Sequence, residues 1–284
     1  MHNLNLLVLF IAALSTYVVG GIWYSPGLFG KIWHRESRDP RPYTPSRPVR
    51  VLSVGILFST IVVMAFANAL GPNPTWSEGV RMGLYIGFGF VATAFGIHYQ
   101  FTNHSLKLLW IDGAFRVVQF AVIGWILAGL SIAGVDSFAS IPNVASRLPV
   151  LSEIGDANKV AILIAALSVI LLGKLWYSPL MFGKLWTRVD AGRQQLRTGQ
   201  PLRVFGVGFF FSVIAAAAFA FWLGPHPFLH EALKQGFLVG TCFVAASFVI
   251  NYLCADFGWR KRLIDGGYHA MRFLVYGCVL GLFG

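Results

Sequence analysis

Charge is what this sequence has least of. Asp, Glu, Lys and Arg make up only 12% of its 284 residues, about half the share of an ordinary soluble domain. So few charges cannot build a polar shell, which excludes a conventional water-soluble globule. Acids are scarcest, with 11 against 22 Lys and Arg. Cysteine is nearly absent: Cys242, Cys254 and Cys278 lie in or beside apolar stretches, without metal-ligand spacing or the soluble setting of a disulfide framework. They read as buried, inert thiols. Also missing are a His-rich metal pattern, a nucleophile motif, a P-loop and a dinucleotide fingerprint. Nothing in the pattern asks for a metal or a cofactor, and no catalytic residue stands out.

Long apolar runs are what the chain has instead. Leu4 to Trp23, Val51 to Leu70, Val80 to Tyr99 and Leu108 to Leu130 form one set. Val160 to Tyr177, Val204 to Leu223, Ala232 to Leu253 and Leu263 to Phe283 form another. Each is about 20 residues long, and a helix rising about 1.5 Å per residue needs that length to cross about 30 Å of hydrocarbon. The pattern predicts an all-α integral membrane protein with eight transmembrane helices. The first run has no basic segment before it and no small-residue cleavage site after it, so it reads as a retained helix rather than a secretory signal.

The two sets are copies. "WYSPGLFGKIW" at Trp23 to Trp33 returns as "WYSPLMFGKLW" at Trp176 to Trp186, an offset of 153. The same offset superimposes Leu70-Gly71-Pro72 on Leu223-Gly224-Pro225, and Ile111-Asp112-Gly113 on Ile264-Asp265-Gly266. The chain is a tandem duplication. Residues 1–131 form a first four-helix unit, 132–154 an extracytoplasmic connector and 155–284 a second unit. Four helices per unit keep both copies in one orientation, so the expected relation is a pseudo-two-fold axis along the membrane normal. A monomer would then be a pseudo-dimer, with higher homo-oligomers left open.

The tryptophan motif, the Gly-Pro after the second helix, the aromatic third helix and the "IDG" of the fourth resemble the bacterial membrane family called domain of unknown function 1761. Members usually carry one such unit. The resemblance implies the cell membrane of a bacterium and brings no activity, since none is established for that family.

Charge predicts orientation. Lys31, Arg35, Arg38, Arg41, Arg47 and Arg50 follow the first helix, and Lys184, Arg188, Arg193, Arg197 and Arg203 follow its copy. Lys107 and Arg260 to Arg262 add to the same side, whereas the connector and the two residues after it hold Asp136, Glu153 and Asp156 with Arg147 as the one base. Basic short loops stay cytoplasmic, so both termini are expected outside. The net charge of +11 is spread over these loops. Anionic lipid of the inner leaflet, not nucleic acid, is its expected partner.

Three groups of residues stand out. Trp23, Tyr24, Ser25 and Pro26, with Trp176, Tyr177, Ser178 and Pro179, read as a membrane-interface corner: an aromatic belt, then an N-cap and a first-turn proline starting a short helix at Pro26. A gate or site mouth at Tyr24 and Tyr177 is the alternative. Gly83 and Gly87, with Gly236 and Gly240, form small-residue faces for close helix packing, expected between the repeats, with a ligand contact as the alternative. The third group is polar and intramembrane: Asp112, Arg116 and Gln119 on one face of helix four, Asp265, His269 and Arg272 at the matching positions of helix eight, and His98 on helix three. Gln119 and Arg272 fall about 14–16 Å deep, near the midplane. Ion pairs Asp112–Arg116 and Asp265–His269 are one reading of this group. A cavity lined by Arg272, Gln119, His269 and Arg116 is the other.

Three functions remain open on sequence alone. The leading one is a small-molecule transporter or permeation protein with a polar, partly cationic cavity that takes a small polar or anionic solute. A non-transporting structural or lipid- and partner-binding protein is the second. A membrane-embedded enzyme using His98 or His269 with Asp112 or Asp265 is the third.

Overall fold

The computed structural model describes residues 6–37, 48–71, 74–102, 104–130, 158–190, 201–254 and 258–284. The connector 132–154 lies outside them. Among the described residues the chain is entirely helical, in two parallel sets. The first comprises α1 (Leu6–Trp23), α2 (Gly30–Ser37), α3 (Pro48–Leu70), α4 (Trp76–Phe101) and α5 (Leu106–Gly129). The second comprises α6 (Lys159–Trp176), α7 (Gly183–Asp190), α8 (Pro201–Leu223), α9 (Leu229–Leu253) and α10 (Trp259–Phe283).

Seven of these helices are long and apolar enough to cross a membrane. The remaining long helix, α10, has 25 residues and carries Arg260, Lys261, Arg262, Asp265 and Arg272, which removes it from that group. The outer surface is as apolar as the core: Leu171 is 69% exposed and Phe210 60%. Only a hydrocarbon surround makes such a surface stable. The protein is a multi-pass membrane protein.

Local sequence sets the helix ends. Gly71 and Gly224 take φ of 77° and 78°, the left-handed conformation that closes α3 and α8 and that an L side chain resists. Thr75 opens α4 with a capping box: its hydroxyl accepts from the Glu78 amide while Glu78 accepts from the Thr75 amide. The span therefore begins at Trp76, a turn before the apolar run does. Within α4 and α9 the hydrogen bonding loosens to π-helix over Ile86–Ala92 and Val239–Ala245. These segments are 153 positions apart, so the irregularity belongs to the repeated unit.

The glycines join helices within a unit, not between units. A Cβ on Gly83 would lie 2.2 Å from the Phe120 carbonyl oxygen, and one on Gly236 2.4 Å from that of Phe273. Gly87 meets the Val117 Cα and Gly240 the Ala270 Cα, both at 2.8 Å. So α4 rests backbone to backbone on α5, and α9 on α10. The two units meet through larger side chains, with α4 against α8 and α9 against α3.

Contacts across the centre are reciprocal, residue i with j and the counterpart of i with that of j. Phe90 meets Phe273 with centroids 5.5 Å apart, and their counterparts Phe243 and Phe120 meet at 6.1 Å, both edge-on. Phe95 and its own counterpart Phe248 stack at 4.2 Å and 15°.

Candidate functional site

The repeated tryptophan motif builds a corner whose purpose is a carboxylate. After α1 the Phe29 amide donates to the Trp23 carbonyl, and the Leu28 and Gly30 amides to that of Ser25. This folds Pro26–Phe29 into a turn, and the short helix starts at Gly30, four residues beyond the proline where the sequence placed it. In the copy the Ser178 hydroxyl donates back to the Leu175 carbonyl at 2.7 Å. A hydroxyl so engaged closes the preceding helix instead of capping a new one. Gly30 and Gly183 are needed here, since a Cβ on either would sit 2.3 Å from the carbonyl oxygen of Tyr24 or Tyr177.

The turn aims three side chains at helix α5. Tyr24 donates its hydroxyl to Asp112 Oδ1 at 2.7 Å, and Trp33 its indole N–H to the same oxygen at 3.0 Å. Tyr99 from α4 donates to Oδ2, and Trp23 donates to the Ile111 carbonyl at 3.2 Å. The second unit repeats each bond. Tyr177 and Trp186 donate to Asp265 Oδ1 at 2.9 and 3.1 Å, Tyr252 donates to Oδ2 at 2.8 Å, and Trp176 donates to the Ile264 carbonyl at 3.0 Å. Tyr24 therefore serves a buried aspartate and Trp23 the backbone carbonyl beside it, rather than a belt at the lipid boundary. Asp112 and Asp265 are 2% and 0% exposed, and three donors to a carboxylate replace the water it has lost. Sequence reasoning passed over Tyr99 and Tyr252. Their identity at the offset of 153 was the available signal.

With its oxygens so occupied, Asp112 forms no ion pair with Arg116, nor Asp265 with His269. Arg116 Nη1 instead donates to Gln119 Oε1 at 2.9 Å, and Gln119 Nε2 donates to the Thr16 hydroxyl at 3.2 Å. The Arg116 guanidinium lies 5.0 Å from the Phe95 ring centre, within cation–π range. At the matching place His269 stacks on Phe248 at 4.2 Å. Arg116, Phe95, Phe248 and His269 thus form one run of contacts through the centre. His98 crosses between units, its Nε2 being 2.7 Å from the Tyr252 hydroxyl and 4.0 Å from Asp265 Oδ2. Asn251, its counterpart, lies beside the Tyr99 hydroxyl in return.

Arg272 breaks the symmetry. It is wholly buried, and Nε, Nη1 and Nη2 have no hydrogen-bond partner among the described residues. Its contacts are the rings of Phe273 and Tyr276, 4.9 and 5.7 Å from the guanidinium carbon. Both ring nitrogens of His269, one turn away, are equally without partners among the described residues. The cause is visible in the first unit. Gln119, the counterpart of Arg272, bonds Thr16, and position 16 corresponds to Val169, which offers no hydroxyl. Among the described residues no three His, Cys, Asp or Glu side chains converge as a metal site would require. Cys242 and Cys278 are free thiols, and the Cys254 side chain lies outside the described residues.

Two aspartate cages, each fed by one copy of the tryptophan motif, define the unit that the comparison with known families detects. The family described as "Protein of unknown function (DUF1761)" matches residues 7–128 and again 160–281. The chain belongs to this family, in two tandem copies. Neither a curated protein nor a solved structure matches it.

The two DUF1761 units meet near the corner of the second. A cavity of about 230 Å³ is walled by Phe101 of α4, Val169 of α6 and Phe205 and Phe209 of α8, and it reaches His98 and Tyr177. One unit's cage tyrosine and the other unit's histidine thus share a wall.

Proposed function

We propose that the protein is a transport or permeation protein for a small anionic solute, which binds at Arg272 and His269 between the two units. Arg272 carries this reading. A guanidinium at midplane costs several kcal/mol unless it faces protein partners, water or an anion, and here three buried nitrogens lack a partner among the described residues. A structural ion pair would have supplied a carboxylate, and the two nearby on α5 and α10 are already engaged by tyrosine and tryptophan donors. His269, one turn away, can add one imidazole N–H to the same anion.

The architecture we infer around this site has α10 as an eighth span and the two units related by a pseudo-two-fold axis along the membrane normal. The reciprocal pairs Phe90–Phe273 and Phe243–Phe120 support that relation. Such parallel repeats suit a transporter, whose site lies at their interface near the bilayer midplane.

The test is Arg272→Gln, which installs the residue of the first unit. Proteoliposomes holding either protein are assayed for uptake of chloride, nitrate, phosphate, sulfate and acetate, beside thermal unfolding in detergent. The expected result is a folded variant whose anion flux falls about tenfold or more, the loss of one charged contact of about 1.4 kcal/mol. Loss of fold would place Arg272 in a structural role. Full flux in the variant, or no anion moved by the parent protein, would overturn the proposal.

A further inference from the structure

The cavity beside the second corner is built differently from its counterpart, and the differences define a ligand. Its walls are mostly aromatic rings and aliphatic carbon, and its rim is open: Phe101 and Phe205 meet edge-on at 5.9 Å and are 41% and 40% exposed. Lys174, in the last turn of α6, lies on the same wall and is itself exposed. In the first unit a tyrosine lies over the matching place. Tyr17 lies across Gly55, its hydroxyl oxygen 1.9 Å from where a Cβ would be, and donates to the Leu52 carbonyl at 3.4 Å. Position 17 corresponds to Ile170 and position 21, a glycine, to Lys174. At Gly208, the counterpart of Gly55, a Cβ would find nothing nearer than Phe101 at 3.7 Å. The second unit has lost the aromatic plug and gained a cation at the same groove.

We infer that this groove binds one acyl chain of an anionic phospholipid, with the phosphate at Lys174. Walls so largely apolar offer a free anion little besides Lys174, and they match a hydrocarbon chain. Lys174 sits one turn before the corner where the chain leaves α6, and its stem can carry the ammonium to headgroup level. That side of the protein is the basic one, where anionic lipids concentrate at the cytoplasmic leaflet. The chain would end near His98 and Tyr177, against the second aspartate cage. This site is separate from the one at Arg272, which does not line the cavity.

The probe is dioleoyl phosphatidylglycerol or dioleoyl phosphatidylcholine, added to the purified full chain in detergent, with retained lipid counted by native mass spectrometry. The parent protein should hold one lipid and favour phosphatidylglycerol by about fivefold, the worth of a single lysine near an anionic surface. Lys174→Gly should abolish that preference while still holding either lipid. Ile170→Tyr, which restores the plug, should cut retention of both about tenfold. Should Ile170→Tyr misfold, Gly208→Leu fills the same groove from α8 and is read the same way. The inference is overturned if the parent protein holds neither lipid or both equally. Retention of phosphatidylglycerol by the plugged variants at the parent's level would also overturn it. So would displacement of the lipid by inorganic phosphate alone. A two-copy mass that the plugged variants abolish would assign the groove to a second chain instead.

Discussion

His98 of the first unit places Nε2 2.7 Å from the hydroxyl of Tyr252 in the second. Tyr252 gives its own hydrogen to Asp265, so the imidazole is the donor in this bond. The link ties the cage of one unit to the third span of the other, and Asn251 stands beside Tyr99 at the reciprocal place. An asparagine amide already occupies this place in the second unit. His98→Asn should therefore leave the thermal unfolding midpoint in detergent nearly unchanged, whereas His98→Leu, which removes the donor, should cost about 1 kcal/mol. Equal damage from both variants would mean that the ring's contact with Phe248, not its hydrogen bond, matters.

The cages predict an asymmetry between donor and acceptor loss. Asp265→Ala leaves Tyr177, Trp186 and Tyr252 without their acceptor, and a buried unsatisfied group costs about 1–3 kcal/mol. The sum is enough to remove most folded protein. Trp186→Phe deletes one donor and should cost about 1 kcal/mol. The same ranking should hold for Asp112→Ala against Trp33→Phe. Folded yield and detergent unfolding measure it, and a Trp186→Phe variant as damaged as Asp265→Ala would contradict the cage.

Gly183 and Gly21 test the corner. A methyl on Gly183 meets the Tyr177 carbonyl at 2.3 Å, whereas nothing lies within 4 Å of one on Gly21. Gly183→Ala should cost about 1–3 kcal/mol as overpacking against backbone. Gly21→Ala, in the last turn of α1, should be neutral or stabilise by up to about 1 kcal/mol. Indistinguishable unfolding midpoints for the two variants would show that the corner can relax.

Topology is testable by labelling single cysteines with an impermeant maleimide. Arg193→Cys, in a basic loop, should react only after the membrane is opened, and Asp136→Cys should react from outside in intact cells. The reverse pattern would invert the orientation and move the Lys174 groove to the other leaflet.

Hydropathy, period and charge are local properties, and what depends on them was legible in the sequence. The long apolar runs foretold helical spans because a bilayer admits little else. The offset of 153 foretold two like units, and the family followed from the tryptophan motif and "IDG". The singular residue on α10 was visible too, since Arg272 faces Gln119 across the repeat with no carboxylate within a turn on its own helix. Helical spacing misled where a nearer partner was assumed. Asp112 and Arg116 share a face, yet the aspartate takes its donors from Tyr24 and Trp33, 88 and 79 positions earlier.

Only tertiary structure could decide such matches, because a buried carboxylate is stabilised by whichever donors reach it through space and sequence separation carries no information about that. The same holds for the glycine stripes, which any neighbouring backbone could have filled and which α5 and α10 fill. It holds as well for the Lys174 groove, open because Ile170 leaves uncovered the notch that Tyr17 covers in the first unit. Identity at each position was written in the chain; which hydroxyl, ring or backbone each would meet was settled by the packing of two units against each other.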